Sequence, residues 1–205
     1  MKVLLVNGGP HPKGCTNRAL EEVEKALKEE GIETLIYHIP NVPLQDCIAC
    51  GSCAKTGKCV FDDCVNEFAS MAKDADGFIF GTPVYYAHPT GKLQSFMDRV
   101  FYSAKSAFVH KPAAVISSSR RAGSVTSMDV LNKHLSVSEM PIVTSNYWNE
   151  VHGHTPSDVE QDREGLDTMY ALGKNMAWML KCIEAGKKAG IEVPQNKKRT
   201  TNFIR

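Results

Sequence analysis

The sequence lacks several features that would assign it to a large class of proteins. No apolar run reaches the roughly eighteen residues that a membrane-spanning helix needs, and the apolar start at residues 2–6 ends at once in Asn7 and two glycines. The 24 basic and 23 acidic residues nearly cancel, so no net charge attracts nucleic acid or an anionic membrane. We therefore expect a cytoplasmic protein whose partner is a small molecule or another protein.

Two common nucleotide-binding signatures are also missing. The chain contains no Gly-x-Gly-x-x-Gly motif of a dinucleotide fold and no Gly-Lys-Ser/Thr of a P-loop. It contains no internal repeat or low-complexity tract either. Its 205 residues suit a single domain. We expect this domain to span residues 1–190, with a basic tail at residues 191–205.

Short apolar runs alternate with amphipathic stretches along the chain. The runs rich in Val, Ile and Leu predict five strands, at residues 2–7, 33–39, 77–81, 113–117 and 141–145. Apolar residues at helical spacing predict helices at residues 17–30, 65–73, 91–106, 124–135 and 161–189. This alternation predicts an α/β fold with a mostly parallel sheet covered on both faces. Residues 40–64 are irregular and form an insertion after the second strand.

The insertion contains four of the seven cysteines within thirteen residues. A reducing cytoplasm argues against a disulfide framework and favours metal binding or redox chemistry. The Cys-x2-Cys-x2-Cys spacing suits an iron-sulfur cluster, although the last gap has five residues where the bacterial ferredoxin run has three. Four-thiolate zinc and a loop of free thiols remain alternatives. The four cysteines are Cys47, Cys50, Cys53 and Cys59.

Three loops that follow predicted strands converge at one sheet edge, where open α/β sheets bind ligands. The first, residues 7–17, brings glycines, Thr16 and Asn17 to a helix start, which suits a phosphate. A tight turn with a helix cap is the alternative for this loop. The second loop, residues 81–86, contributes Pro83 and two aromatic rings, and the third, residues 117–123, contributes hydroxyls and an arginine pair.

These loops, together with Gly91-Lys-Leu-Gln-Ser-Phe-Met-Asp98-Arg99, resemble the NADPH-dependent FMN reductase branch of the flavodoxin-like superfamily. With the cysteine motif added, the chain resembles an iron-sulfur flavoprotein over nearly its whole length. The resemblance implies a doubly wound parallel sheet of five strands in the order 2-1-3-4-5. It implies FMN as cofactor, a [4Fe-4S] cluster on Cys47, Cys50, Cys53 and Cys59, and no catalytic acid or base among the side chains.

The resemblance also assigns the flavin-binding residues. The FMN phosphate falls to the first loop, where Gly9, His11 and Cys15 replace the serine, arginine and asparagine usual in the family, so that backbone donors carry more of the recognition. The flavin ring lies along the second loop, and its pyrimidine edge meets the third. The residues so assigned are Gly9, His11, Lys13, Cys15, Thr16 and Asn17, then Thr82, Pro83, Val84, Tyr85 and Tyr86, and finally Ser117, Ser118, Ser119, Arg120, Arg121 and Gly123.

Other cysteines, histidines and aromatic residues receive structural interpretations. We expect Cys15 and Cys182 to be packing residues and Cys64 to be a bystander of the cysteine motif. The sequence His152-Gly-His154 is typical of an ordinary surface loop. The pair Tyr147 and Trp148 either walls the substrate side of the flavin or packs on the last helix.

Three functions agree with these observations. The first is electron transfer between a low-potential donor, such as ferredoxin, and an acceptor through FMN and the cluster. The second is an NAD(P)H-dependent reductase of quinones, nitro compounds, azo dyes or flavins, without a cluster. The third is a redox-sensing binding protein whose cysteine loop responds to oxidation.

We predict that the protein self-associates as a homodimer or a tetramer, through the insertion and the tail. The insertion lacks the apolar density to form its own core, and the tail contains Phe203 and Ile204, two apolar residues in a polar context. Light scattering at micromolar concentration tests this prediction, and a monomer would contradict it. Truncation after residue 190 should weaken the assembly, and intact assembly would exclude the tail from the contact.

Overall fold

The computed structural model describes residues 1–197 and 199–201, so that the end of the tail predicted to mediate self-association lies outside the described residues. Within this part of the chain, no helix is both long and apolar enough to cross a membrane. The strands are β1 (Lys2–Asn7), β2 (Glu33–His38), β3 (Gly77–Tyr85), β4 (His88–Pro89), β5 (Ala113–Ser119) and β6 (Glu150–His152). The helices are α1 (Cys15–Glu29), α2 (Ser52–Thr56), α3 (Cys64–Lys73), α4 (Gly91–Ser103), α5 (Ser124–Val137), α6 (Pro156–Val159) and α7 (Arg163–Lys188).

Five of the strands form one parallel sheet in the order β2-β1-β3-β5-β6. The sixth, β4, pairs antiparallel with the end of β3. The parallel register places Asn7 beside Gly81 and Pro83 beside Ser118. The carboxyl ends of β1, β3 and β5 therefore lie side by side, and the loops that follow them start from one edge.

The sheet is covered by helices on both faces. Along β1, Leu4 and Val6 belong to the core that α3, α4 and α5 cover, whereas Val3 and Leu5 belong to the core that α1 and α7 cover. Successive strand residues point to opposite faces, so a strand buried on both sides is apolar at every position. The apolar runs of the sequence arise in this way, and the predicted flavodoxin-like fold class is confirmed.

The prediction of the fifth strand at residues 141–145 is wrong. Ile142 alone forms a bridge with Ala113, and the chain then turns away and returns as β6. Asn149 takes the place of strand pairing along β5, because its side-chain amide donates to the Val115 carbonyl at 3.1 Å and its own carbonyl accepts from Ser117 N–H at 2.9 Å. The five parallel strands keep the predicted order 2-1-3-4-5, but the last of them is β6 instead of residues 141–145, and β4 is an addition to the sheet.

The other predicted elements agree with the structure within a few residues, and two short helices were missed. The strand predicted at residues 77–81 continues as β3 to Tyr85, where it forms a hairpin with β4. Helices α2 and α6 have only five and four residues, too few for a periodic pattern. Helix α6 is announced instead by a capping box, in which Thr155 and Asp158 exchange hydrogen bonds.

Helices α1 and α7 approach closely at Gly173, and we predict that Gly173→Ala destabilises the protein. A β-carbon there would lie 2.6 Å from Ala26 Cβ and 2.7 Å from the Val23 carbonyl oxygen. Overpacking of about 1 to 3 kcal/mol outweighs the gain in helix propensity of about 1 kcal/mol. Urea unfolding should therefore show a lower free energy of unfolding.

The matched control for this prediction is Gly186→Ala on the same helix. A β-carbon at Gly186 meets only Ile191, at 3.7 Å, so this variant gains helix propensity without a clash and is expected to be up to about 1 kcal/mol more stable. Equal stabilisation of both variants would show that the two helices separate freely at Gly173.

Candidate functional site

A cleft of about 230 Å³ opens where the loops after β1, β3 and β5 meet. The segment after β6 forms a fourth wall. The lining includes no carboxylate within the part of the chain that the structure describes. The residues that line this flavin cleft are Gly9, Pro10, His11, Gly14, Cys15, Thr16, Pro83, Val84, Tyr85, Ser118, Ser119, Arg120, Gly153 and His154.

One end of the cleft is the amino terminus of α1. The residue before the helix, Gly14, makes no side-chain capping bond, and the first turn contains no acidic residue. The first N–H groups of a helix lack partners within it, and its dipole favours negative charge there. Thr16 adds a buried hydroxyl whose oxygen lies 2.8 Å from that of Ser118. This end of the cleft is suited to bind a phosphate.

Hydrogen bonds to the backbone hold the first loop in place. The Asn7 side chain accepts from Gly9 N–H at 2.9 Å, and the Thr90 hydroxyl donates to the Gly8 carbonyl at 3.0 Å. The His38 ring Nε2 donates to the Gly9 carbonyl at 3.0 Å. These contacts come from β1, β2 and the start of α4, so the loop is braced from three elements before any ligand binds.

The second loop is a hairpin turn with unusual backbone. Tyr86 and Ala87 have φ of 51° and 59°, values that residues with a side chain seldom adopt. Tyr86 is fully exposed, whereas Tyr85 lines the flavin cleft and is half exposed. Such strain persists only where the surrounding structure enforces it, and it is concentrated at functional sites.

A close contact couples the second loop to the third. Gly123 has φ of 96°, and a β-carbon there would lie 2.7 Å from the Ala87 α-carbon. Glycine alone satisfies both the backbone conformation and the contact. The two loops expected to hold the flavin ring are therefore fixed relative to each other by backbone packing.

Hydroxyl groups dominate the third loop. Ser119 Oγ accepts from the Ser124 hydroxyl at 2.9 Å and lies 3.2 Å from His152 Nδ1. The Ser117 hydroxyl is buried and has no hydrogen-bond partner among the described residues. Ser117 does not line the cleft, so its hydroxyl is not among the groups that a ligand there would contact.

The structure brings ten of the seventeen assigned flavin residues to the cleft wall. Asn17 is turned away and bonds with Asn7 and Glu21, and Thr82 instead accepts from Thr90 N–H beneath the loop. His152 and His154 are exposed, as expected of a surface loop, but His152 lies within hydrogen-bond distance of Ser119 and His154 lines the cleft. The assigned residues that do not line the cleft are Lys13, Asn17, Thr82, Tyr86, Ser117, Arg121 and Gly123.

Four residues of the lining were not assigned from the sequence. Pro10 and Gly14 lie within the first loop, and only the conformation of that loop shows that they line the cleft. Gly153 and His154 follow β6, a strand that the sequence analysis misplaced, and so their proximity to the cleft had no local signal. Correct placement of the last strand would have brought them to the same sheet edge.

Cys15 lines the cleft as a protonated thiol. Burial raises the pKa of Cys15 above its ordinary value, although its position at a helix start opposes the shift through a backbone hydrogen bond. Its sulfur lies 3.7 Å from the Gly153 carbonyl oxygen. Cys15 therefore contributes a packing surface and a weak donor at the cleft, with no thiolate for nucleophilic chemistry.

A second cavity, of about 140 Å³, lies between the insertion and the end of α4. All four cysteines of the motif line it, with apolar residues and Ser103, whose buried hydroxyl has no partner among the described residues. Ala49, between the first two cysteines, has φ of 54°, a turn that brings both towards the cavity. The lining of this cysteine cavity is Cys47, Ile48, Ala49, Cys50, Gly51, Cys53, Cys59, Val60, Phe61, Arg99, Tyr102 and Ser103.

Asn66 fixes the fourth cysteine in place. Its side-chain oxygen accepts from Cys59 N–H at 2.9 Å, and its amide donates to the carbonyls of Cys59 and Phe61 at 3.0 and 3.1 Å. Asp63 caps α3 by accepting from Val65 N–H at 3.0 Å. The start of α3 thus determines where the Cys59 sulfur lies.

The remaining residues discussed from the sequence lie elsewhere. Cys64 is buried at the start of α3 and does not line the cysteine cavity. Cys182 is exposed on α7, so its prediction as a core residue is wrong. Tyr147 and Trp148 are largely exposed and line a separate cavity beside α5, not the flavin cleft. Among the described residues, no group of three or more His, Cys, Asp or Glu side chains is placed to hold a single metal ion.

Comparison with known proteins agrees with this geometry. The model of the NADPH-dependent FMN reductase family matches residues 1–155. An iron-sulfur flavoprotein of Methanocaldococcus jannaschii is 32% identical over 194 residues, which are 90% of this chain and all of that protein. An iron-sulfur flavoprotein of Methanosarcina thermophila is 26% identical over 191 residues, 91% of this chain and 99% of that protein.

A solved archaeal flavodoxin shares the fold, with a TM-score of 0.61 and 14% identity over 88% of this chain and 99% of that chain. The fold, the cleft and the family match define a flavodoxin-like, FMN-dependent oxidoreductase. The chain belongs to the NADPH-dependent FMN reductase family, and the resemblance seen in the sequence is confirmed.

We predict that Thr16→Val weakens FMN binding. The variant keeps the shape of the side chain and removes a hydroxyl at the uncapped start of α1. A hydrogen bond to a charged group contributes about 1.5 to 3 kcal/mol, so the Kd should rise roughly 10- to 150-fold in a flavin titration. Thr34→Val on β2, where the hydroxyl bonds to Glu24, is the matched control and should leave the Kd unchanged. An unchanged Kd for Thr16→Val would place the phosphate elsewhere.

Proposed function

We propose that this protein is an iron-sulfur flavoprotein that transfers electrons between a low-potential donor and an acceptor. FMN occupies the flavin cleft and a [4Fe-4S] cluster occupies the cysteine cavity. When bound, FMN supplies two-electron chemistry and the cluster one-electron chemistry. The observation that carries the proposal is that Cys47, Cys50, Cys53 and Cys59 line one cavity.

The spacing of the four cysteines favours a cluster over zinc. Four-thiolate zinc sites usually pair two separated Cys-x2-4-Cys knuckles, whereas the Cys-x2-Cys-x2-Cys run suits a four-iron cube. In the described residues all four cysteines line one cavity. The buried hydroxyl of Ser103 offers a donor to a group inside this cavity.

The cleft favours FMN over FAD. Its phosphate end is lined by the first loop and the start of α1, and the chain contains no dinucleotide fingerprint for an adenylate half. The protein's contribution is to hold and orient the cofactor, through the bracing of the first loop and the contact between Gly123 and Ala87.

The two sites lie towards opposite ends of α4. Gly91, at its start, lines a cavity together with Tyr85 of the flavin cleft, whereas Tyr102 and Ser103, at its end, line the cysteine cavity. The rise of 1.5 Å per residue separates them by about 17 Å along the helix. Within one subunit, an electron would have to cross this distance between the cysteine cavity and the flavin cleft. In an oligomer, the route is shorter if a neighbouring subunit brings its own flavin cleft closer to the cysteine cavity.

The proposed donor is a protein such as ferredoxin, and the proposed compartment is the cytoplasm. All seven cysteines are free thiols, which fits a reducing compartment. A second candidate is an NAD(P)H-dependent reductase that works with FMN alone. The exposure of Tyr85 and Tyr86 at the mouth of the cleft favours it, because a flat face there leaves room for a nicotinamide ring.

We predict that anaerobically purified protein contains FMN with about four irons and matching acid-labile sulfide per chain. Cys50→Ser should lose the iron and sulfide but keep FMN, because Cys50 lies outside the flavin cleft. Cys182→Ser, which changes an exposed cysteine away from both sites, is the matched control and should keep both cofactors.

Stopped-flow spectroscopy at the flavin band then distinguishes the two candidate functions. In Cys50→Ser, flavin reduction by reduced ferredoxin should slow sharply, while hydride transfer from NADPH should be unaffected. Ferredoxin reduction at the parent rate, or a parent protein with FMN and no iron, would favour the cluster-free reductase. Absence of both cofactors would favour the redox sensor.

A further inference from the structure

Arg99 is the most deeply buried charged side chain beside the cysteine cavity. It lies on α4, and only 1% of its side chain is exposed. Asp63, at the start of α3, binds it through both carboxylate oxygens at 2.7 and 2.9 Å. Burial alone would lower the pKa of Arg99, but its bonds with Asp63 and Cys59 raise the pKa above the ordinary value, so the guanidinium stays charged.

All five N–H groups of the Arg99 guanidinium have acceptors, and every acceptor belongs to the segment between Gln45 and Asp63. Two bonds go to Asp63, and two go to the carbonyls of Gln45 and Phe61 at 3.1 and 3.4 Å. The fifth, from Nε, goes to the Cys59 sulfur at 3.2 Å. The Phe61 ring also lies 5.0 Å from the guanidinium carbon.

The bond to sulfur is not needed to anchor the insertion. Four bonds to oxygen, the contact with Phe61 and the bonds of Asn66 already fix the backbone around Cys59. A hydrogen bond from a charged donor to a sulfur is stronger when the sulfur is a thiolate, which is the form of cysteine that binds a metal. Hydrogen bonds to the sulfurs are among the factors that set the potential of an iron-sulfur cluster.

We propose that Arg99 is a positioning residue for the cluster, which selects Cys59 as the fourth ligand and raises the cluster's reduction potential through the Nε hydrogen bond. This inference rests on the proposed function, since it requires a cluster in the cysteine cavity. One-electron reduction adds one negative charge to the cage of four thiolates, and the guanidinium stabilises that charge. Asp63 opposes the effect, because its carboxylate partly neutralises Arg99.

Arg99→Gln and Asp63→Asn form a pair of variants that separates charge from anchoring. Each breaks the same ion pair, so a purely structural role of that pair predicts similar changes in both. The electrostatic role predicts opposite changes, because one variant removes the positive charge and the other the negative charge. Asparagine can still cap α3, which keeps the Cys59 segment in place in the second variant.

The experiment is a reductive titration of each anaerobic holoprotein, followed by the electron paramagnetic resonance of the reduced cluster. Relative to the parent, the midpoint potential should shift to more negative values in Arg99→Gln and to more positive values in Asp63→Asn. Arg99→Lys, which keeps the charge without the fork, should fall between Arg99→Gln and the parent. Equal potentials, or shifts of the same sign in both variants of the pair, would overturn the inference.

Two further outcomes are also decisive. If Arg99→Gln does not retain a cluster, the sign of the Asp63→Asn shift decides: a positive shift supports the inference and a negative or absent shift overturns it. If the parent itself contains no iron and sulfide, the proposed function fails, and the inference fails with it. If the parent contains a cluster but its midpoint potential is the same in both variants, the inference alone is overturned and the proposed function stands.

Discussion

The parallel register of β1, β3 and β5 is the constraint on which both sites depend. It aligns Asn7 with Gly81 and Pro83 with Ser118, so three loops that are far apart in sequence leave the sheet at one edge. The flavin cleft is the space between them. Parallel pairing is stable only when both sheet faces are buried, and here α1 with α7 and α3 with α4 and α5 provide that cover. The residues that brace the first loop come from β1, β2 and the start of α4.

Helix α4 connects the two sites in a direct physical sense. Its first turn supports the flavin loops, because Thr90 caps it and also bonds to the Gly8 carbonyl. Its later turns provide Arg99, whose guanidinium donates all of its N–H groups to the cysteine-bearing segment. A segment too polar to form its own core is thereby held by one buried cation and the start of α3. Packing of α4 on the sheet places the cysteine cavity relative to the flavin cleft.

The sequence predicted the fold class and four of the five main strands. Those predictions succeeded where the signal is local: apolar runs for buried strands and helical spacing for amphipathic helices. The two sites stay predictions, although ten of the seventeen assigned flavin residues line one cleft and all four cysteines of the motif line one cavity. They failed at the last strand, because a side-chain amide of Asn149 replaces backbone pairing at the sheet edge, which no local pattern announces. The same error hid Gly153 and His154 from the flavin cleft. Cys182 was misjudged because one face of α7 is exposed at its carboxyl end.

The sequence by itself determined that a flavodoxin-like domain carries a compact set of four cysteines, because apolar runs, loop chemistry and cysteine spacing can all be read in short segments. Only the tertiary structure decided which residues meet. It turned Asn17 and Thr82 away from the cleft, brought His152 to Ser119, and placed the Arg99 side chain against the Cys59 sulfur across forty positions of sequence. These contacts arise from the packing of helices on the sheet. Buried polar groups form hydrogen bonds with the partners that the fold brings near, however far apart they are in sequence.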